Sequence, residues 1–496
     1  MARNPLRASA ATSGLSSARA ARYAFPVRLH FIGICGTAMG NAALLMRALG
    51  HEVSGSDTGV YPPMSDHLRS AGVEILEGWD ADRMEAARPD LVVVGNVASR
   101  GNPEVERLLR SRRLEYVSLP ELLRTRLLRD RANLVVAGTH GKTTTTCLAA
   151  VLLRAAGAEP GWLVGGVPRD LPDSSHPGVP GGPFVIEGDE YDSAFFDKRS
   201  KFIQYLPRVL AINNVEFDHA DIFRDLEDVL RTFSHVVRLV PPDGAIVANG
   251  DDANVRGLVE AVRFCPVVRV GVGPGNDAVI ADFAEDAAGS SFRLLWKGRE
   301  WGRVRWALPG LFNARNAATA AVGAGLLLHP DDPTRLSLAP LAAFQGVRRR
   351  QQVLVDRPDL VVIEDFGHHP TAIACTLESL RARHPGRALV AAFEPRSNTA
   401  ARKVMQDGFR DALAKADAVH LAAPHRAEKL GADGFDSEGV AGALRASGRR
   451  ATASASPEAL LAALRAELPA LGRPACVVFF SNGAFGGIIG RFAAGE

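Results

Sequence analysis

Short runs of consecutive apolar residues recur along the chain, each followed by glycine or a polar cluster and then by a stretch of mixed polarity. Leu91-Val92-Val93-Val94, Leu134-Val135-Val136-Ala137, Phe184-Val185-Ile186, Val209-Leu210-Ala211-Ile212, Val361 to Ile363, Ala388 to Phe393, Ala418 to Leu421 and Val477 to Phe480 all show this form. They lack the apolar/polar alternation of a strand with one wet face, and so predict strands buried on both faces in parallel sheets. The expected fold class is α/β, in three segments. Residues 28–130 open with a strand over Val27 to Ile32, a glycine loop, a helix to Leu49 and a second strand from His51 to Gly55. Residues 131–340 hold the richest polar clusters. Residues 341–496 repeat the strand–helix pattern.

Length and composition leave this division open to a large core. The 496 residues, 47% hydrophobic, suit about three domains. A formal charge of +3 with no dense basic stripe argues against a nucleic-acid surface. No apolar run reaches the ~18 residues of a membrane span, so no membrane partner is expected. Cys35, Cys147, Cys265, Cys375 and Cys476 show no CxxC or zinc spacing and read as reduced thiols, as in the cytoplasm. Residues 1–27 carry four arginines, no acid and no apolar centre. They read as a disordered leader or a start-site artefact, with a transit peptide as the alternative.

Candidate chemistry starts at Gly138-Thr139-His140-Gly141-Lys142-Thr143-Thr144, entered from the run ending at Ala137. A strand that turns through glycines into Lys-Thr-Thr and a helix aims backbone N–H groups, an ammonium and a hydroxyl at a triphosphate and its Mg²⁺. The eight-residue phosphate loop needs a glycine where Val136 stands, so this loop is the short kind. Phe184-Val185-Ile186 runs into Glu187-Gly188-Asp189-Glu190-Tyr191-Asp192, with four carboxylates in six residues, which are suitable oxygen ligands for magnesium. The run ending at Ile212 leads into Asn213-Asn214-Val215-Glu216-Phe217-Asp218-His219. Imidazole is a less natural magnesium ligand, and spacing alone gives His219 no role.

In the first segment, Gly33-Ile34-Cys35-Gly36-Thr37-Ala38-Met39-Gly40 and the acid Asp57 form a nucleotide-binding βαβ pattern, with Asp57 placed for a ribose hydroxyl. Cys35 replaces the second glycine of the dinucleotide fingerprint, which weakens a nicotinamide reading. That reading would also leave the Lys142 loop without a purpose. A non-catalytic nucleotide switch would leave the Glu187 block without one.

The loop at Lys142, Glu187 to Asp192, Asn214 to His219, Gly310-Leu-Phe-Asn313-Ala-Arg-Asn316 and Glu364-Asp365-Phe-Gly-His368-His369-Pro370 stand in the order found in the Mur ligases. The chain resembles these ATP-dependent, amide-forming enzymes of peptidoglycan synthesis over nearly its whole length. The resemblance implies a Rossmann-like UDP-binding domain, a P-loop-type ATPase domain and a Rossmann-like peptide-binding domain. ATP and Mg²⁺ are the implied cofactors. It places a second magnesium on Glu187 and His219, with Thr143 at the phosphate-side ion. Asn313 and Asn316 would lie near adenine, and Arg350 and Asp365 would grip the nucleotide. The UDP-sugar would meet Gly33, Gly36, Thr37, Met39, Gly40, Asp57 and Asn96. Arg396, Ser397 and Asn398 would hold the peptide, with Arg396 able to bind a carboxylate through two parallel hydrogen bonds.

Four segments, around Tyr61, Asn96, Arg396 and Asn482, resemble the members that join UDP-N-acetylmuramate to the murein tripeptide L-alanyl-γ-D-glutamyl-meso-diaminopimelate in recycling. The alternative within the family is ligation of free L-alanine. A monomer is expected. Phe312 stands in place of the family's usual histidine, Gln351-Gln352 in place of an apolar-acidic pair, and Gly367 in place of alanine. Between Glu216 and Gly250 there is no lysine to be carbamoylated as a metal bridge.

Overall fold

The structure is a computed structural model that describes residues 26–425 and 427–495. The leader expected over 1–27 lies, but for its last two residues, outside the described residues. Two compact units result. One runs up to Arg129 and takes in Ser193–Lys198; the other comprises Asp130–Asp192 and the chain from Arg199 onward. The second and third segments of the sequence therefore share a unit, though each keeps a sheet of its own.

The first unit is built on β1 (Arg28–Ile32), β2 (Glu52–Asp57), β3 (Glu74–Glu77), β4 (Leu91–Val94) and β5 (Tyr116–Ser118), in the spatial order β3-β2-β1-β4-β5. All its pairings are parallel. Ile32, Val92 and Val94 pack with Met84, Val105 and Leu108, and Phe195 lies against this cluster. The strand order reverses between β1 and β4, so the ligand crevice of this sheet lies beyond their carboxyl ends.

In the second unit the larger sheet has ten strands: β6 (Ala132–Ala137), β7 (Gly161–Leu163), β8 (Ser175–His176), β9 (Pro183–Gly188), β12 (Pro207–Ile212), β13 (Ala245–Asn249), β14 (Val267–Gly271), β15 (Ala278–Asp286), β16 (Gly289–Trp296) and β17 (Arg299–Trp306). A two-stranded ladder, β10 (Asp192–Ala194) with β11 (Asp197–Ser200), lies outside it. The centre is parallel, with β6 between β9 and β12. The β15–β17 meander at one edge is antiparallel. Its strands alternate buried and exposed positions, the mark of a sheet with one wet face, and they were not foreseen because that pattern differs from the uniform apolar runs.

Helix Leu311–Leu328 is buried along most of its length, and its alanines and glycines let it lie close to helix Lys142–Ala155. Leu134, Leu148, Ala317, Ala321 and Val247 share the resulting core. Each fully buried aliphatic side chain there contributes roughly 1.5–3 kcal/mol relative to exposure.

The second sheet of this unit orders β18 (Gln352–Asp356), β19 (Leu360–Asp365), β20 (Ala388–Phe393), β21 (Ala418–Ala422), β22 (Arg450–Ser454) and β23 (Ala475–Phe480) as β18-β19-β23-β20-β21-β22. Only the edge strand β18 is antiparallel. Separate clusters, around Phe393 and Phe409 and around Phe479 and Leu464, cover its two faces, as the uninterrupted apolar runs require.

Candidate active site

Three neighbouring parallel strands, β9, β6 and β12, end at one edge of the ten-stranded sheet, and the three polar clusters follow from their ends. After β6 the backbone passes through Gly138 (φ +134°) and Gly141 (φ +78°), conformations that side chains rarely tolerate. A Cβ on Gly141 would also lie 2.9 Å from Asn213 Nδ2. The loop thus closes on its neighbours, and Lys142 begins the following helix with Gly141 as its N-cap.

The charges meet in a definite arrangement. Lys142 Nζ lies 2.8 Å from Glu190 Oε2 and donates to the Gly138 carbonyl at 2.7 Å. Burial acts to lower its pKa, but Glu190, Asp189 and Glu187 outweigh it and hold the ammonium above the ordinary lysine value. Glu187 accepts from Gly165 N–H at 2.6 Å and from the Thr143 hydroxyl at 3.1 Å. Burial raises its pKa despite these bonds and the Lys142 charge. A buried carboxylate next to a hydroxyl is an oxygen donor set that fits a Mg²⁺ ion. His219, in the left-handed region at φ +54°, points its Nε2 to Glu190 Oε1 at 3.3 Å. Burial lowers the pKa of this imidazole, but Glu190 and Asp218 raise it further.

Glu190 thus links Lys142 to His219, and residue spacing did not single it out from the four carboxylates of its block. It is the block's most deeply buried acid, at 3% exposure, and which acid turns inward is decided by the turn after β9.

One cavity of about 890 Å³ takes in the phosphate loop, Glu187, Asp218, His219, Phe312, Asn313, Asn316, Arg350, Asp365 and the Arg396–Asn398 segment. Asn313 and Asn316 are buried and engaged: Asn313 donates to the Pro309 carbonyl at 2.7 Å, and Asn316 accepts from Thr145 at 3.2 Å. Arg350 lies with its guanidinium 4.7 Å from the centre of the Phe366 ring. Asp365 accepts from the backbone of Gln351 and Gly367 at 2.9 and 2.7 Å. A Cβ at residue 367 would stand 2.7 Å from the Asp365 carboxylate.

Beyond β20, Arg396 lies 3.4 Å from Glu394, and Glu394 accepts a short hydrogen bond from the Ser481 hydroxyl. A side chain on Gly483 would overlap Arg396. The Glu394-Pro-Arg396 and Ser481-Asn-Gly483 segments, far apart in sequence, therefore form one constellation. Ser397 caps its own turn through Ala400 N–H at 3.0 Å. Asn398 donates to Asp221 at 2.7 Å, as does the Tyr191 hydroxyl at 2.5 Å, and Thr399 accepts from Ala220 N–H at 3.0 Å.

The first-unit residues gather around the β1 and β4 ends. Gly33 donates to the Ser56 carbonyl at 2.8 Å, and Gly36 precedes the helix Thr37–Ala48 as its N-cap. Thr37 and Asn96 are exposed, whereas Met39 and Gly40 are buried. Asp57 accepts from Cys35 N–H at 2.9 Å and Gly59 N–H at 2.8 Å, so its carboxylate braces the glycine loop. Sequence spacing alone did not convey that bracing.

Three family descriptions match the chain in succession: Mur ligase family, catalytic domain, over 28–130; Mur ligase middle domain over 136–324; and Mur ligase, glutamate ligase domain, over 349–483. The chain is 43% identical over 400 residues to the UDP-N-acetylmuramate–L-alanyl-gamma-D-glutamyl-meso-2,6-diaminoheptandioate ligase of Escherichia coli K12, covering 80% of this chain and 85% of that protein. It is 34% identical over 419 residues to the UDP-N-acetylmuramate–L-alanine ligase of Oleidesulfovibrio alaskensis, covering 84% and 88%. Its structure is similar to the crystal structure of a murein peptide ligase from Psychrobacter arcticus, with a TM-score of 0.70 and 35% identity over 95% of this chain and 99% of the other. Arrangement of strand-end clusters, successive domain matches and whole-length similarity agree: the chain belongs to the Mur ligase family.

Proposed function

We propose that this enzyme joins the lactyl carboxylate of UDP-N-acetylmuramate to the amine of L-alanyl-γ-D-glutamyl-meso-diaminopimelate, with ATP converted to ADP and phosphate. The observation that carries the reading is the single cavity lined by Lys142, Thr143, Glu187 and His219 together with the Arg396 loop. The 43% identity to the Escherichia coli tripeptide ligase, against 34% to an L-alanine ligase, favours a peptide as acceptor.

The chemistry has a barrier to overcome. A carboxylate resists an amine because its carbon is unactivated and its oxygen leaves poorly. Transfer of the γ-phosphoryl group to the carboxylate makes a good leaving group, and the task left to the protein is positioning and charge stabilisation. Lys142 and the backbone N–H groups of residues 141–143 would meet charge spread over the transferring oxygens. Thr143 and Glu187 would hold a Mg²⁺ ion, with His219 and Glu190 beside it; such an ion neutralises phosphate charge. Glu190 pairs with the Lys142 ammonium, so ATP phosphates would compete with that ion pair. Arg396 would hold a peptide carboxylate so that the neutral alanyl amine reaches the acyl phosphate, and phosphate leaves. Asn313, Asn316, Arg350 and Asp365 would line the nucleoside side. The glycine loop at Gly33–Gly40, with Asp57 and Asn96, would take the UDP moiety. We further propose that the reaction runs in the cytoplasm and that the enzyme acts as a monomer. Among the described residues no helix is long and apolar enough to cross a membrane.

The test is direct. The protein, ATP, Mg²⁺ and UDP-N-acetylmuramate are incubated with the tripeptide or with L-alanine, and products are identified by mass. Efficient formation of the UDP-muramyl tripeptide supports the reading; faster turnover with L-alanine overturns the choice of acceptor.

A further inference from the structure

A second donor cluster, made of residues other than Thr143 and Glu187, lies on the wall of the same cavity. Glu216 Oε2 lies 3.2 Å from His140 Nε2 and 3.2 Å from His369 Nδ1, and it accepts from the Thr371 hydroxyl at 2.7 Å. Donor atoms of His140, Glu216 and His369 all fall within 4.8 Å of one another. They come from the phosphate loop, the loop after β12 and the start of helix Pro370–Arg383, three places that are remote in sequence.

Hydrogen bonding fixes the tautomer of one imidazole. His369 Nε2 faces the Phe217 carbonyl at 3.1 Å, an oxygen that can only accept, so Nε2 carries the proton. Nδ1 accepts from Thr371 N–H at a long 3.3 Å. The neutral ring therefore turns a lone pair, not a proton, toward the neighbourhood of the Glu216 carboxylate 3.2 Å away. Two lone-pair atoms at that distance repel unless a cation lies between them. Zinc bonds of about 2.0–2.1 Å at tetrahedral angles set neighbouring donors roughly 3.3 Å apart. Two of the three donor pairs already have that spacing, and a proton on Nε2 held by a carbonyl is the outer hydrogen bond that metal-binding imidazoles commonly keep.

We propose that His140, Glu216 and His369 bind one divalent cation of the zinc class. Two nitrogens and one carboxylate oxygen favour such an ion over Mg²⁺, which prefers oxygen ligands. Binding replaces the long Thr371–His369 bond and draws His140 inward. It also ties the loop after β19 to the phosphate loop, which makes the ion a clamp between the two sheets of this unit. The proposal does not depend on the identity of the acceptor.

The test uses the full-length protein freed of metal by a chelator and held in excess Mg²⁺, which fills oxygen-donor sites. Co²⁺ is titrated in and followed by visible absorption, and Zn²⁺ by calorimetry. One equivalent should bind with the intense visible band of four-coordinate Co²⁺. His140→Ala and His369→Ala should each weaken it on the order of 10- to 100-fold or more, whereas Glu187→Gln should leave the affinity unchanged. Because His369 also caps its helix, His140→Ala decides the matter if the His369 variant melts early. Absence of saturable binding in Mg²⁺, an unchanged affinity in His140→Ala, or loss of the ion in Glu187→Gln would each overturn the proposal.

Discussion

Two loops in this chain leave a buried parallel strand, pass through glycines and open a helix, yet they meet different company. The first, Gly33 to Gly40, donates Cys35 N–H to Asp57, and that carboxylate also holds Gly59 N–H. The second, Gly138 to Thr144, places Lys142 between Glu190 and the Gly138 carbonyl, with Thr143 on Glu187. A glycine turn and a helix N-terminus supply the geometry for an anionic group in both cases. What separates them is the neighbouring strands. β2 brings one acid that braces the first loop, whereas β9 and β12 bring several acids and a histidine to the second. The first arrangement suits holding a phosphate-bearing substrate, and the second suits moving a phosphoryl group.

If that contrast is right, the largest effect belongs to the second loop. Lys142→Ala and Glu187→Gln should each lower kcat by on the order of 10²–10³, about 2.7–4 kcal/mol, because the first removes a cation facing the charge that develops on the phosphoryl oxygens and the second removes a ligand of the Mg²⁺ ion that would neutralise it. Phosphate release with all three substrates saturating checks this, and a near-native rate in both variants would erase the distinction between the loops.

Much of this contrast was legible before the structure. Uninterrupted apolar runs located the β4, β6, β9, β12, β19, β20, β21 and β23 strands to within a few residues, as burial on both faces requires. Strand ends in a parallel sheet then put their following clusters at one edge. Pairings across the sheets were not legible. The bond of Asn398 to Asp221 and that of Ser379 to Glu285 at 2.5 Å join the second and third segments into one unit, and neither spacing nor periodicity carries such a pairing. Glu190 and Asp57 show the same limit: an acid at a strand end announces a site, but its partner is chosen by tertiary packing.

A middle-sized effect should fall on the acceptor alone. Arg396→Ala should raise the apparent KM for the tripeptide roughly ten- to a hundred-fold, about 1.5–3 kcal/mol for a charge-assisted bidentate contact. Arg396→Lys should recover only part of this, since an ammonium keeps the charge but not the fork. Initial rates at varied tripeptide, ATP and UDP-N-acetylmuramate separate the contributions, and a defect toward ATP alone would remove Arg396 from the acceptor site.

The smallest effect should come from the first loop. Asp57→Asn turns an amide N–H toward a backbone N–H and should cost roughly 1–2 kcal/mol in stability. A lowered melting temperature and a higher KM for UDP-N-acetylmuramate, with kcat retained at saturation, would show a brace. A kcat loss as deep as that of Lys142→Ala would show that the first loop takes part in the chemistry.

The central claim is that the second loop phosphorylates the carboxylate of UDP-N-acetylmuramate before the amine attacks. Labelling the lactyl carboxylate with ¹⁸O and turning the enzyme over with ATP and tripeptide tests it by mass spectrometry of the released phosphate. One ¹⁸O atom should appear in phosphate for each amide formed from fully labelled carboxylate, while unlabelled phosphate accompanying labelled substrate and amide product would contradict the account.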